Sequence, residues 1–524
     1  LEAEAQATRA SQVMALMTDL FRLGDPTRTV GDTIGVRQVL SEGRERVERD
    51  LADAPLVQAE LLLELGRIYR NLGLIPEATV LSVEALDLQE RHAPRSRGHA
   101  DALAFRGVMA REAGSGDAAI PILIEALAMR ERLVPVPDST RADLMSSLAW
   151  EVRAAGDYDQ AAELFRGAAA IQEELLGRDH PAYAQTVLGL ASTFHDQGSF
   201  DEAEELLGRV ANRALGRPDP DAASALLNLG MIRRLRQQYL GAEPLVRSAR
   251  EMRYQLYPPE HPTVVEADEQ WGQTLGTLGR YPEARELLAT TVDRSITVLG
   301  PEHTRTRNAR EGLAFVEWAL GEFEVARARL DSVAEAKRVF HGGDHPGVVY
   351  TLVATGELMA EVGEYAGARE RLDSAMAMGA RGGGNDGVYG AQAQVIYGAI
   401  ALGEGDPDEA ERRTRAGLDR LEERLRPDHR YVLSARRSLA RVLLARGEPL
   451  EALDVLGFVP PLEAQVWPMD HPVRGRTALL QAEARLALGQ QEAAQAHLRE
   501  ADRHFSVLPA SHPSKRRVAD LSEG

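Results

Sequence analysis

One pattern constrains this sequence more than any other. A small residue is followed seven positions later by Gly and five positions after that by Ala, eleven times along the chain. It starts as Gly66/Gly73/Ala78 and Gly107/Gly114/Ala119, then reads Ala149/Gly156/Ala161 and Ala191/Gly198/Ala203. The fifth copy, Gly230/Gln237/Ala242, changes the middle residue. Six more follow: Gly272/Gly279/Ala284, Ala314/Gly321/Ala326, Gly356/Gly363/Ala368, Gly398/Gly405/Ala410, Ala440/Gly447/Ala452 and Ala482/Gly489/Ala494. Successive middle positions are 41, 42, 42, 39 and then six times 42 residues apart. Repetition at such a period belongs to stacked architectures, and overrides the roughly three or four globular domains that this length otherwise suggests.

The chemistry of each slot defines the unit. The middle Gly ends a helix in the left-handed conformation that other residues adopt only at a cost. Apolar residues before it run at helical spacing, as in Leu61, Leu62, Ile68 and Tyr69 ahead of Gly73. The Ala opens a second helix where two helices approach closely, and the leading small residue does the same on the first. Such a helix pair leaves an apolar face open, so it is stable only when stacked on neighbours. The expected fold is therefore all-α: a right-handed α–α superhelix of about eleven helix–turn–helix repeats over 58–507. Residues 1–57 should form a helical cap, with helices near 6–23 and 34–51 about an Asp25-Pro26 turn. Residues 508–524 should form a short, basic, frayed tail. The 39-residue step near Pro218 and Pro220 marks the expected irregularity.

Composition removes several function classes. The chain is 44% apolar, 27% charged and 5% aromatic, and no run approaches the ~20 apolar residues of a membrane helix. No signal peptide opens it. It starts at Leu1 without Met, which reads as an excerpt of a longer protein. A net charge of -19 argues against nucleic acid, whose phosphates need a basic footprint. Of 61 basic residues only Lys337 and Lys515 are lysine, a bias that reads as coding composition rather than phosphate-binding design. Without cysteine there are no disulfides and no zinc–thiolate sites. Neither lysine follows a Gly, so there is no Walker A loop; Asp-Phe-Gly, His-Arg-Asp, His-Glu-x-x-His and Gly-x-Ser-x-Gly are likewise missing. No catalytic residue, metal or cofactor is assigned. An enzyme with an unrecognised groove site remains a remote alternative.

The slots resemble the tetratricopeptide repeat, most closely in Leu-Gly-Arg-Ile-Tyr-Arg-Asn-Leu-Gly-Leu-Ile-Pro-Glu-Ala at 65–78. The 42-residue period is similar to the longer variety of kinesin light chain, which carries a Gly-x-Asp-His-Pro linker. Here that linker reads Gly177-Arg178-Asp179-His180-Pro181 and Gly343-Asp344-His345-Pro346, with shorter forms at His261-Pro262, His303, His429, His471-Pro472 and His512-Pro513. HEAT repeats share the period but not the Gly–Tyr–Ala slots. Seven of 13 histidines lie in this series. His or Asp as N-cap and Pro in the first turn start each next helix; a metal site would have to join histidines held a repeat apart. An aromatic residue stands two positions after the middle slot in six successive repeats: Tyr158, Phe200, Tyr239, Tyr281, Phe323 and Tyr365. It wedges the turn, or, in a sharper reading that the acidic chain disfavours, stacks bases. The Gly-rich stretch 382–387 falls where a linker is due and reads as a degenerate linker, with a phosphate cradle as the alternative.

Residues 1–80 are similar to the segment after the membrane helix in bacterial serine/threonine protein kinases with C-terminal tetratricopeptide arrays. The matching stretches are Ala10-Ser11-Gln12-Val13, Leu20-Phe21, Gly24-Asp25-Pro26, Val36-Arg37-Gln38-Val39-Leu40, Arg46-Val47-Glu48-Arg49-Asp50-Leu51 and Pro55-Leu56-Val57-Gln58-Ala59. That likeness implies the sensing or docking arm of a kinase tethered to the bacterial inner membrane. A free-standing cytoplasmic scaffold and the effector arm of a transcription regulator are the alternatives.

In the tetratricopeptide family the first helix of each repeat lines a concave groove. The position four residues after the leading small residue holds Arg70, Arg111, Arg153, His195 and Arg234, then Gly276, Trp318, Ala360, Leu402, Leu444 and Leu486. The groove is thus expected to be cationic first and apolar later, with Trp150, Phe315 and Trp318 adding contact surface. The cationic stretch fits a protein or peptide partner that is acidic, phosphorylated or ends in a carboxylate. Solvated helix faces or helix-to-helix salt bridges would place the same arginines. Of the backbone-clamping asparagines of kinesin light chain only Asn228 has a counterpart.

Overall fold

The computed structural model describes residues 36–71, 74–112, 116–214, 217–341, 345–381 and 387–523. The expected helix near 6–23, the Asp25-Pro26 turn, Gly73, Gly114 and loop residues 382–386 lie outside them. The described residues are all helix, turn or loop, with no strand.

Paired helices follow the repeat slot for slot. The first pair is Pro55–Asn71 and Ile75–His92, the third Ser139–Ala154 and Tyr158–Leu176, and the eleventh Pro472–Ala487 and Gln491–His504. Every described middle glycine, Gly156, Gly198, Gly279, Gly321, Gly363, Gly405, Gly447 and Gly489, has a left-handed backbone. Gln237, which replaces glycine in repeat five, takes the same conformation at φ 59°. All eleven slot alanines, from Ala78 to Ala494, are completely buried. The leading glycines are equally committed: a Cβ at Gly66 would sit 2.6 Å from Phe105 Cε1, and one at Gly272 would sit 2.6 Å from Leu288 Cγ. These small residues are the places where helices touch.

The linker histidines start helices. The Nδ1 atoms of His180, His261, His303, His345, His429, His471 and His512 each accept from the backbone N–H two residues on, at 3.0–3.3 Å. Pro181, Pro262, Pro346 and Pro472 hold the first helical position, where no N–H is needed. Among the described residues no cluster of His, Asp or Glu could hold a metal ion.

Within the span 58–507 expected for the repeats, packing divides the chain into two compact units that part between Arg213 and Ala214. That is the site of the 39-residue step. The second helix of repeat four is short, Phe200–Ala211, and ends in a single 3-10 turn at Asn212–Ala214. The first unit holds helix Val36–Asp50, part of the expected cap, whose Leu40 and Val47 are buried against the first helix pair. The second unit holds repeats five to eleven. Its C-terminal segment differs from the frayed tail expected: Pro513–Glu523 is a helix, and Val518 is buried with Leu498, Phe505 and Leu508. It covers the apolar face that the last repeat would otherwise leave open.

A candidate binding chamber in the second unit

The second unit curves until its early turns meet its late helix starts. The Arg430 backbone N–H donates to Gln237 Oε1 at 2.7 Å, across 193 residues of sequence. One repeat further on, Gly279 lies against His471 and Pro472; two repeats on, Gly321 lies against His512. Tyr239 packs on Trp467 with ring centroids 6.4 Å apart, and Tyr281 meets His471 edge-on at 6.1 Å. Apolar clusters run through the contact: Tyr239 and Leu278 share one with Leu421 and Trp467, and Tyr281 and Leu288 share another with Leu498 and Phe505. Burial here pushes the His429 and His512 imidazoles down to about 4 and His471 to about 3, so all three are neutral, as their capping role requires.

The curvature half-encloses a cavity of about 720 Å3. Its wall is built from the first helices of repeats five to eight, through Arg234, Gln273, Phe315, Trp318, Tyr350 and Glu357. It is closed by the starts of later first helices, through Tyr389, Arg430, Tyr431 and Arg476. Phe315, on Thr304–Ala319, stands 6.3 Å from Trp318 and 5.8 Å from Tyr350 on the next first helix; Tyr350 stands 5.7 Å from Tyr389 on the one after. Stacked helices thus make a continuous aromatic wall. The Trp318 indole N–H donates to Glu361 at 2.8 Å, which fixes the ring.

The charged groups fall into two kinds. Glu311 accepts from Lys337 at 2.7 Å, and Arg437 donates to Glu463 at 2.5 Å. Arg234 donates to Gln273 at 2.6 Å and Gln270 at 2.8 Å, both neutral amides. Arg430 donates to the Tyr431 hydroxyl at 3.0 Å, and Tyr239 and Tyr350 line the same space. Among the described residues neither Arg234 nor Arg430 has a carboxylate within ion-pair distance. Glu357 accepts from Gln392 at 2.9 Å, and desolvation, reinforced by Glu361, pushes its carboxyl up. Glu269, beside Arg234, is driven up to about 7 by burial, the nearby Glu266 adding to the effect.

Of the groove residues expected from the sequence, Arg234, Phe315 and Trp318 come together in this chamber. Asn228 is half-buried on the first helix of repeat five and does not line it. The other candidates lie in the first unit. Arg70 and Arg111 both meet Glu112, at 2.9 and 3.2 Å. Arg153 and His195 both meet Asp196, at 2.7 and 3.2 Å. Burial raises Asp196, but the His195 hydrogen bond and the Arg153 charge outweigh it and hold the carboxyl low. Trp150 packs edge-on against Phe165 at 5.4 Å, with the Arg153 guanidinium 5.3 Å from its ring. Sequence reasoning missed Tyr350, Tyr389, Arg430, Tyr431 and Arg476. Tyr389 and Tyr431 occupy one slot of successive repeats, nine residues before the leading small residue, and that recurrence was available as a signal.

Family models described as tetratricopeptide repeat match residues 149–215, 188–259, 263–338, 306–380, 391–416 and 433–457, together more than half the chain. This chain is a tetratricopeptide-repeat array. Its all-α helix-pair fold is the one expected from the repeat pattern. No curated protein sequence matches the array. Solved structures similar to it include a putative kinesin light chain from Podosopora anserina with nearly identical repeats, 23% identical over 39% of the array and 99% of that chain, TM-score 0.33. The hetero-tetramer Cut9–Hcn1 of the APC/C is 13% identical over 93% of both chains, TM-score 0.38. A Rap protein complexed with competence and sporulation factor is 13% identical over 88% of the array and 99% of that chain, TM-score 0.44. As a tetratricopeptide array the chain is a protein–protein interaction scaffold. Among the described residues no helix is long and apolar enough to cross a membrane.

Proposed function

We propose that the array is the sensing or docking arm of a bacterial serine/threonine protein kinase tethered at the inner membrane, and that its second unit receives the partner in the chamber. The reading of the chamber is carried by the aromatic wall formed by Trp318, Phe315, Tyr350 and Tyr389. Large rings held half-exposed by neighbouring helices give contact area at little entropic cost, as binding hot spots do. The kinase assignment rests on the likeness of residues 1–80.

A second surface is favoured by one observation in the first unit. The side chains of Arg111 and Arg153 stay about a quarter exposed, 28% and 26%, while meeting Glu112 and Asp196, so an acidic or phosphorylated segment can reach both guanidinium groups. A peptide-display selection on the purified chain, followed by calorimetry on variants, tests both surfaces. F315A with W318A should weaken the selected peptides at least about tenfold, the usual scale of an aromatic hot spot. Charge reversal of Arg111 and Arg153 should weaken acidic peptides and flatten their salt dependence. Peptides that bind both variants as tightly as the parent would remove the reading.

A further inference from the structure

We propose that the chamber holds a carboxylate carried on an aromatic or other apolar body. The carboxylate would sit on Arg430 and Arg234, and the body against the aromatic wall. The proposal rests on the chamber being a binding site and names the chemistry of what it binds.

The argument begins with charge. Removing a guanidinium from water is costly unless a counter-charge meets it. Two buried arginines of this unit meet carboxylates, Arg437 with Glu463 at 2.5 Å and Arg253 with Glu266 at 2.8 Å, while Arg307 is held instead by the Glu302 carbonyl, the Thr304 hydroxyl and the Phe340 ring. Arg430 and Arg234 are half-buried, have only neutral hydrogen-bond partners, and line the same cavity. The fold therefore collects two cations without an ion-pair partner in one half-enclosed space, the acid beside Arg234 being Glu269, whose carboxyl burial raises to about 7 and which Gln270 and Gln273 engage.

The neutral partners sharpen the specificity. A tyrosine hydroxyl that accepts from Arg430 still has its own hydrogen to donate. Tyr431 accepts in this way, and the Tyr239 and Tyr350 rings line the same cavity, so the guanidinium and the Tyr431 hydroxyl together form a set of donors. An ionised carboxylate has only acceptor sites and matches such a set; an amide or an amine does not. The nearby acids do not fill the role. Glu311 is engaged by Lys337, and Glu357 accepts from Gln392 with its carboxyl pushed toward the neutral form. With two carboxyl groups already in the wall, a monoanion fits better than a phosphate dianion. The ring wall then takes an apolar body, and about 720 Å3 accommodates a ligand of metabolite size or the last residues of a peptide chain.

Trp318 and Trp467 both line the chamber, so tryptophan emission reports occupancy directly, and calorimetry gives affinity. The probes are 3-phenylpropanoate, its amide, phenyl phosphate, and a peptide ending in Phe with a free or amidated terminus. Free acid and free-terminus peptide should bind, and their amides should not. R430M and R234M, each checked for folding by circular dichroism, should lower affinity at least about tenfold through lost charge-assisted hydrogen bonds. R234M matters because Arg430 also starts a helix at the contact with Gln237, whereas the Arg234 side chain is bonded to Gln270 and Gln273 and takes no part in that contact. Binding of the acid identifies a small-molecule source, and binding of the peptide alone a chain terminus; either supports the proposal. The proposal falls if neither carboxylate binds, if the amides bind equally, if phenyl phosphate binds more tightly, or if both variants retain affinity. Selected peptides that need Phe315 and Trp318 but no carboxylate would leave docking in the chamber standing and remove this proposal alone.

Discussion

Glycine serves two different purposes in this protein, and the residue scale is where they separate. Gly489 and Gly279 occupy the same slot with nearly the same left-handed backbone, φ 72° and 78°. A Cβ at Gly489 would meet nothing within 4 Å, whereas one at Gly279 would lie 2.8 Å from His471 and 3.0 Å from Pro472. Alanine at either position costs about 1 kcal/mol in backbone strain. G279A should lose a further ~1–3 kcal/mol from overpacking, read as a larger drop in the urea midpoint. Equal losses from G279A and G489A would mean that the 279–471 approach is looser than described. A second slot, sixteen residues after the middle position, behaves similarly. In six of the eleven repeats it holds a long polar residue, Gln89, Arg130, Gln172, Arg253, Lys337 or Glu463, all buried. Arg130 bridges Asp101 and Asp138, and Arg253 reaches Thr263 and Glu266 on the next first helix. Breaking such a buried pair by removing one partner is strongly destabilising, because it leaves the other charge buried alone.

At the scale of the element, the histidine caps couple helix starts to pH. Each cap works only while Nδ1 is an acceptor, and protonation would turn it into a donor. Where burial depresses the folded value, as in His429, His471 and His512, the unfolded chain binds more protons between about 6.5 and the folded value. The stabilisation is therefore complete above about pH 6.5 and is lost as pH falls through that range toward about 3–4. Glu269, raised to about 7, works with the opposite sign, so comparison with a variant is needed to isolate the caps. Asn caps a helix without titrating. H471N should show a shallower fall of thermal midpoint between pH 7 and 4 than the parent, and a parallel fall would remove His471 from the account.

At the scale of the molecule, a repeat array is ordinarily a chain of nearest-neighbour interfaces, and damage stays local. The second unit departs from this because repeats five to seven touch repeats ten and eleven and the C-terminal helix start. Trp467 is the test residue: it is buried, stacked on His471 at 5.7 Å and packed on Tyr239. Truncating such a buried aromatic to Ala costs about 3–5 kcal/mol. W467A should speed amide hydrogen exchange not only around residue 467 but also in the turns at 236–239 and 278–281. Exchange confined to repeats ten and eleven would show that the turn contacts add nothing to the protection of repeats five and six.

What the sequence determined by itself was everything set within one repeat: the period, the helix ends at glycine, the closely packed alanines, and the histidine and proline helix starts. Those features are local, so spacing and residue type suffice to read them. The groove was only partly legible. Arg153 and Arg234 occupy equivalent slots, yet one faces Asp196 and the other Gln270 and Gln273, a difference made by the neighbouring helix. The frayed tail was misread because the buried surface for Val518 exists only once the last repeat has folded. The chamber, the bond from Arg430 to Gln237 and the close approach at Gly279 were decided by tertiary structure alone. Small rotations between successive repeats add up over 193 residues until two distant turns of chain coincide, and no local pattern encodes that sum.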